Sequence, residues 1–401
     1  MSSVTSAGAF AQPSLLYVSP VVPSPTGNGL AMRAAHTLTV LSRVYRVSLL
    51  VTARYGSPAG WTLPPEIAQL CREAVVVPGA TALQSTVALQ DAPFDVVHVF
   101  RLGTIPYAEP YLDAAPAPER QLDLDDVESS SLRRIAALYR QHGDEAQAQA
   151  EEDAASAAQA AETDTLPRFD RIYVCSTGDV QRLPQSVQQR VNVLPNALPM
   201  PLPLPPAPTR EPAEILFVGT LGYFPNAEGV AWFATEVLPA IRSRIRRRIA
   251  LRIVGPGASP LVTGLRTLPG VDLVGYVPDV RPWYAGSRIV VIPIRAGGGT
   301  RIKVLEAFAL RRPVVATTIG AEGIDARDGE HLLLADDPDE FAARCAQLID
   351  EPGLGDRLAA NAHALFSARY TLEALARLVA AEPSPPPRQG SPPSGRSPAP
   401  S

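Results

Sequence analysis

The chain has 401 residues, 46% of them apolar, which is enough for two domains at roughly 100–200 residues each, both with a buried core. A net charge of −4 gives no general attraction to nucleic acid, and three scattered cysteines fit neither a disulfide framework nor a zinc site and point to a reducing compartment. No apolar run reaches the roughly 18–20 residues of a membrane span, and MSSVTSAGAFAQP lacks the basic and apolar regions of a signal peptide, so a cytoplasmic location is expected.

Residues 1–13 read as a disordered start. LLYVS (15–19) then forms a buried strand, followed by the loop PVVPSPTGNG and a helix from Leu30. RVSLLV, AVVVP, DVVHVF, RQLDLD, RIYVCS and VNVLP continue as short β-rich runs between helical ones, giving a first domain over 14–195. Within it, the alanine-rich acidic stretch 143–164 is expected to be a helical insertion serving as a solvated spacer. Prolines concentrate over 196–213, a semi-rigid linker.

The second domain, 214–368, opens like the first: ILFVG (215–219), the loop TLGYFPNAEG, then a helix from about Val230. ALRIVG, VDLVGY, IVVIPI, PVVAT and HLLLA follow as strands. A closing helix covers 369–382, and the Pro/Ser-rich tail 383–401 cannot form a core. Continuous apolar strands alternating with helices imply parallel sheets covered on both faces, hence two doubly wound α/β domains of Rossmann type with a cleft between them.

The sequence RAGGGTRIKVLEAF (295–308) joins a strand to a helix. Glycines let a backbone approach a ligand, and helix-start amides bind anions. It is not a P-loop, and no G-x-G-x-x-G is completed elsewhere. With Thr300 as N-cap, Arg301 and Lys303 fall in the first turn, where cations oppose the helix dipole unless an anion binds. Arg295 adds a third positive group. Arg301 and Lys303 point about 200° apart, so Arg301 is favoured for the anion and Lys303 is expected to face Glu306. Glu306, in an apolar helix, needs a partner: an ion pair with Lys303, or ligand hydroxyls such as those of a ribose.

These stretches resemble the group 1 glycosyltransferases (family 4), which have the two-domain GT-B fold. The likeness is carried by ILFVGTLGYFPNAEGVAWFATEVLPAI, LRIVGPG, VDLVGYVPDVRPWYAGSRIVVIPIRAGGGTRIKVLEAFALRRPVVAT and TIGAEGI, and more loosely by PSPTGNG, DVVHV, LDLDDVES, RIYVCSTGD and VNVLPNAL. The resemblance implies a retaining transfer of a sugar from a nucleotide diphosphate sugar to an acceptor hydroxyl. The acceptor would be a glycan, a lipid-linked group or a small molecule, as in polysaccharide or glycoconjugate synthesis.

By the same resemblance, Glu306 holds the donor ribose and the loop Gly297, Gly298, Gly299, Thr300, Arg301 meets the diphosphate and sugar. Gly27 and Gly29 reach the donor across the cleft, and His98, on the DVVHV strand, lies near the donor sugar. There are two departures from the family pattern: Gly298 stands where an acid is usual, and the first loop carries Thr220 and Glu228 in place of an arginine and a lysine. Arg301, with Arg295 and Lys303, is expected to supply that charge.

Asp123-Leu-Asp125-Asp126 contains a D-x-D, which is read as polar groups at the cleft, with Asp126 or the serines of ESSS capping the next helix, and not as a metal site. His36, His142, His331 and His363 have no metal-ligand spacing. No metal or further cofactor is therefore expected. The basic run IRSRIRRRIALR (241–252) faces solvent or touches anionic lipid at the inner face of the membrane. Two other classes stay open: a non-catalytic nucleotide-sugar-binding subunit, and a sugar-nucleotide epimerase of similar fold.

Overall fold

The computed structural model describes residues 12–52, 63–77, 89–299 and 301–382. Two parallel sheets form the frame. In the first, β1 (Ser14–Ser19), β2 (Arg46–Val51), β3 (Cys71–Val76), β4 (Val96–Phe100), β5 (Glu119–Asp125), β6 (Arg171–Val174) and β7 (Val191–Val193) run in the order β3-β2-β1-β4-β5-β6-β7. In the second, β8 (Ala213–Val218), β9 (Ile249–Val254), β10 (Val271–Gly275), β11 (Ile289–Ile292), β12 (Val314–Ala316) and β13 (Leu333–Leu334) run as β10-β9-β8-β11-β12-β13. Central strands such as SLLYVS and IVVI are buried along their whole length, because helices cover both faces.

The chain crosses between the domains twice at one place. Leu198 N donates to Tyr370 O (2.9 Å) and Leu372 N to Leu198 O (3.1 Å). The closing helix Leu372–Ala381 then buries Leu375 and Val379 with β1 and the helix Gly29–Leu41 of the first domain. The proline segment is pinned to the second domain, where Pro205 O accepts from Arg312 Nη2 at 2.8 Å.

The acidic stretch is more than a spacer. It forms the helix Glu145–Thr165, which lies against the preceding helix Glu128–Gln141 and buries Ala148, Ala155 and Glu162. Small alanines on one face allow the close approach of two backbones. The Glu162 carboxylate caps its neighbour: Oε1 accepts from Ser129 N (3.0 Å) and Oε2 from Ser129 Oγ (2.6 Å). Asp126 or the serines of ESSS are expected from the sequence to cap this helix themselves. Instead Val127 occupies the N-cap position, with no side-chain cap bond.

Candidate active site

Ligands in open parallel sheets bind where the strand order reverses, beyond the carboxyl ends of the strands. Here that is between β1 and β4 in one sheet and between β8 and β11 in the other. The glycine turns lie at these two places and face each other. A side chain at Gly29, first residue of its helix, would lie 3.4 Å from Ile302 Cδ1, first residue of the helix Ile302–Ala309. Two helix N-termini, each with free amides, therefore meet across the cleft. Asn28 caps the first, its Oδ1 accepting from Ala31 N at 2.9 Å, and Gly27 precedes it at φ 109°.

Gly297 and Gly299 adopt φ of 97° and 71°, which only glycine takes without strain. Gly298 is required for a different reason. A Cβ there would lie 1.8 Å from Ser131 Oγ and 2.8 Å from Asp126 Oδ2, both in the first domain. The space of a side chain at 298 is thus filled from across the cleft.

Arg301 takes the N-cap position rather than the first turn. Thr300 lies outside the described residues. The buried Arg301 guanidinium donates to the loop's own backbone: Nη1 to Gly298 O (2.7 Å), Nη2 to Ala296 O (3.3 Å) and Nε to Ile319 O (3.4 Å). It holds the shape of the glycine loop. Lys303 is the freer cation. Its Nζ reaches Asn226 Oδ1 at 2.5 Å and lies 5.1 Å over the Phe217 ring, and no carboxylate comes within 4 Å among the described residues. Burial, with Arg301 nearby, brings its pKa down to about 7, although Glu306 pulls the other way.

The expected Lys303–Glu306 ion pair is absent among the described contacts. Glu306 instead accepts from Tyr284 Oη at 3.0 Å. Burial raises its pKa, partly offset by that hydrogen bond and by Lys303. Asn226 was missed by sequence reading. Its Nδ2 donates to Thr220 O (2.9 Å) while its Oδ1 holds Lys303, so it ties the β8 loop to the first turn of the helix Ile302–Ala309. The signal was available as a polar residue in the buried first turn of PNAEGVAWF.

Two expected cations or bases lie elsewhere. Arg295 pairs with buried Glu228 and lies 5.2 Å over Trp232, while His142 Nε2 is 3.0 Å from Glu228 Oε1. These residues line a cavity of about 340 Å³ that includes none of Arg301, Lys303 or Glu306. His98 does not reach the cleft. It is fully buried in the sheet, stacked between Tyr17 and Tyr173 at 5.2 and 5.7 Å, with Nδ1 2.9 Å from Gln121 Oε1. Burial lowers its pKa despite Asp123 and Gln121. Strand alternation decides this: β4 turns His98 under the helix Gly29–Leu41 and the closing helix.

The residue that does emerge from β4 is Arg101, at φ 71°. It donates to Leu124 O (2.9 Å) and pairs with Asp126. Asp126 also accepts from Ser131 Oγ (2.7 Å), Asp123 binds Arg33 (2.7 Å), and Asp125, at φ 64°, lies 3.6 Å from both arginines. The acids of the D-x-D are thus tied to arginines, and among the described residues no group of three or more His, Cys, Asp or Glu is placed to hold a metal ion. Non-glycine residues at positive φ at strand ends mark stored strain of the kind found at functional sites.

The helix Glu128–Gln141 bridges the cleft. Arg134 Nη1 donates to Gly297 O (3.2 Å) and to Glu322 Oε2 (2.5 Å), its Nη2 donates to Glu322 Oε1 (3.0 Å), and Arg182 pairs with the same carboxylate. Tyr139 lies parallel to Phe224 with ring centroids 3.8 Å apart. The basic run 241–252 is largely engaged with acids on its own surface, Arg244 with Asp339 (2.9 Å) and Arg252 with Asp272 (2.6 Å) among them. No helix among the described residues is long and apolar enough to cross a membrane.

Two doubly wound domains facing a cleft define the GT-B fold, and solved structures share it. Sucrose-phosphate synthase from Thermosynechococcus elongatus superposes with a TM-score of 0.63 at 15% identity, covering 92% of this chain and 97% of that one. The Anabaena protein Alr3699/HepE in complex with UDP and glucose gives 0.64 at 13% identity, covering 92% and 98%.

In sequence, residues 212–351 match the family model described as Glycosyl transferases group 1. The UDP-N-acetylglucosamine–N-acetylmuramyl-(pentapeptide) pyrophosphoryl-undecaprenol N-acetylglucosamine transferase of Acidiphilium cryptum is 32% identical over 186 residues, 43% of this chain and 48% of that protein. The D-inositol 3-phosphate glycosyltransferase of Thermomonospora curvata is 31% identical over 162 residues, 37% of each. The chain thus spans less than half the length of these curated relatives.

Proposed function

We propose that the protein is a glycosyltransferase that moves a sugar from a nucleotide diphosphate sugar to an acceptor hydroxyl with retention of anomeric configuration. The observation that carries this reading is Lys303, an amine with no carboxylate partner among the described residues, set beside the end of β8 at the switch point of the second sheet. A partly buried cation without a counter-ion is a place prepared for an anion. Here the anion is the donor diphosphate, with the amides around Gly297–Gly299 and Gly29 as further donors and Glu306 accepting from the ribose hydroxyls. The family match over the same domain supports this assignment.

In the transfer, the acceptor oxygen bonds to the anomeric carbon, the bond from that carbon to the diphosphate breaks, and the acceptor proton passes to the departing diphosphate oxygen. Fixed donors at the departing diphosphate supply the largest share of the rate gain in such chemistry. Lys303 takes the role first given to Arg301, which instead holds the loop that presents the amides. The reaction needs no metal in this reading, so transfer survives a chelator. The setting is cytoplasmic, in polysaccharide or glycoconjugate synthesis. Incubation with a panel of labelled nucleotide sugars tests the reading. A wild type that binds and turns over one of them, with Glu306→Gln weakening donor binding at least tenfold, is expected. Binding without transfer or hydrolysis would make it a binding subunit, and an altered free sugar nucleotide would make it an epimerase.

A further inference from the structure

Arg134 and Arg182 stand on different elements of the first domain, the helices Glu128–Gln141 and Thr177–Arg182, which start just beyond the ends of β5 and β6. Arg182 is oriented by a side chain of its own domain, whereas Arg134 is carried by a helix anchored in that domain and its guanidinium donates to Gly297 O and Glu322 of the second. Buried Asp179 holds Arg182 Nη1 at 2.6 Å, and Glu162 fixes the start of the helix that carries Arg134. Both converge on a single carboxylate, Glu322, which comes from the second domain just after β12. Both oxygens of Glu322 are used, by three charge-assisted hydrogen bonds. Paired guanidinium groups bind carboxylate and phosphate with the same fork geometry.

When the domains part, Glu322 leaves with its own domain. The first domain is left with two arginines and one acid, Asp179, a net positive cradle facing the place that Gly297 and Glu322 occupied. We propose that this Arg134–Arg182 cradle binds the phosphate of a phosphate-bearing acceptor, and that Glu322 holds its place in the closed, unliganded protein. The acceptor role rests on the glycosyltransferase reading; the anion site does not. Glu322 competes with the ligand, so the cradle is kept from capturing free phosphate until the cleft opens. The site also selects against neutral acceptors, because two arginines without an anion would be left facing each other.

Calorimetry without donor tests the site. Glycerol 3-phosphate serves as the soluble probe, glycerol as its uncharged control, and phosphatidylcholine vesicles with and without phosphatidic acid as the lipid-borne probe. One phosphate probe binds, and which of the two binds identifies a soluble or a lipid-borne acceptor. The double variant Arg134→Gln/Arg182→Gln weakens that binding at least tenfold. Glu322→Gln, which keeps both arginines and removes the competitor, tightens it by about tenfold if the latched form dominates by a similar factor. Lys303→Gln leaves it in place. No binding to wild type or to Glu322→Gln overturns the proposal, as does binding that is lost in Lys303→Gln and kept in the double variant. A protein that binds no nucleotide sugar yet passes these tests would lose the proposed function and keep the cradle.

Discussion

Lys303 is the side chain whose surroundings most constrain the chemistry. Its neighbours are an amide oxygen and a ring, and its pKa is brought down to about 7, first by burial and then by Arg301. A diphosphate beside it favours the charged amine, so binding raises that pKa. At pH 8 the free amine is mostly neutral, and donor binding takes up about one proton; at pH 6 it takes up almost none. Affinity is therefore greatest below about pH 7 and falls as pH rises through the interval between the free and bound pKa values. Calorimetry in buffers of different ionisation enthalpy reads the proton directly, and Lys303→Gln abolishes it. Proton release, or a signal unchanged in that variant, would remove Lys303 from the diphosphate site.

At the scale of elements, the pair of helices Glu128–Gln141 and Glu145–Thr165 links the first domain to the glycine loop. One carries Ser131, Arg134 and Tyr139 to the second domain, and the other supplies Glu162 to its first turn. Glu162→Ala removes both acceptors from Ser129 and should cost about 1–2 kcal/mol, the scale of a lost helix cap. A thermal melt measures that loss. The same variant is expected to lower turnover more than donor affinity, because Lys303 and Glu306 sit on the other domain. Equal loss in both, or no loss of stability, would return the acidic helix to the role of a spacer. Sequence reading took it for one because an Ala/Glu-rich stretch carries little hydrophobic signal; the burial of two alanines and one glutamate depends on a neighbouring helix.

At the scale of the whole molecule, closure is written into Gly298. With a Cβ 1.8 Å from Ser131 Oγ and 2.8 Å from Asp126 Oδ2, a side chain at 298 must push these two groups aside or part the domains. Gly298→Asp, which restores the acid that the family pattern carries, is therefore expected to hold the cleft ajar. Small-angle scattering should show a larger radius of gyration, and transfer should fall at least tenfold with donor binding largely kept. Adding Ser131→Gly to remove the obstructing side chain should recover part of the activity. A Gly298→Asp protein that is more active and no larger than wild type would mean that this closed arrangement is not the working one.

Much of this protein follows from its sequence alone. Apolar runs of strand length alternating with helices dictate two parallel sheets, and glycines after β1 and β11 mark where the chain must turn tightly at the strand ends. Those features are local, so periodicity and residue type suffice to read them. What each polar side chain meets was decided only by the tertiary structure. His98 and Arg101 are three residues apart, yet one is sealed among aromatic rings and the other faces Asp126. Arg295 is drawn to Glu228, Arg301 to loop carbonyls, and Lys303 to Asn226 in the first turn of the helix Phe224–Trp232. Such pairings depend on sheet order, strand register and domain closure, which bring together groups separated by 188 residues in the chain, as in Arg134 and Glu322. A charge in a sequence shows that a partner is needed, and only the folded chain decides which one it finds.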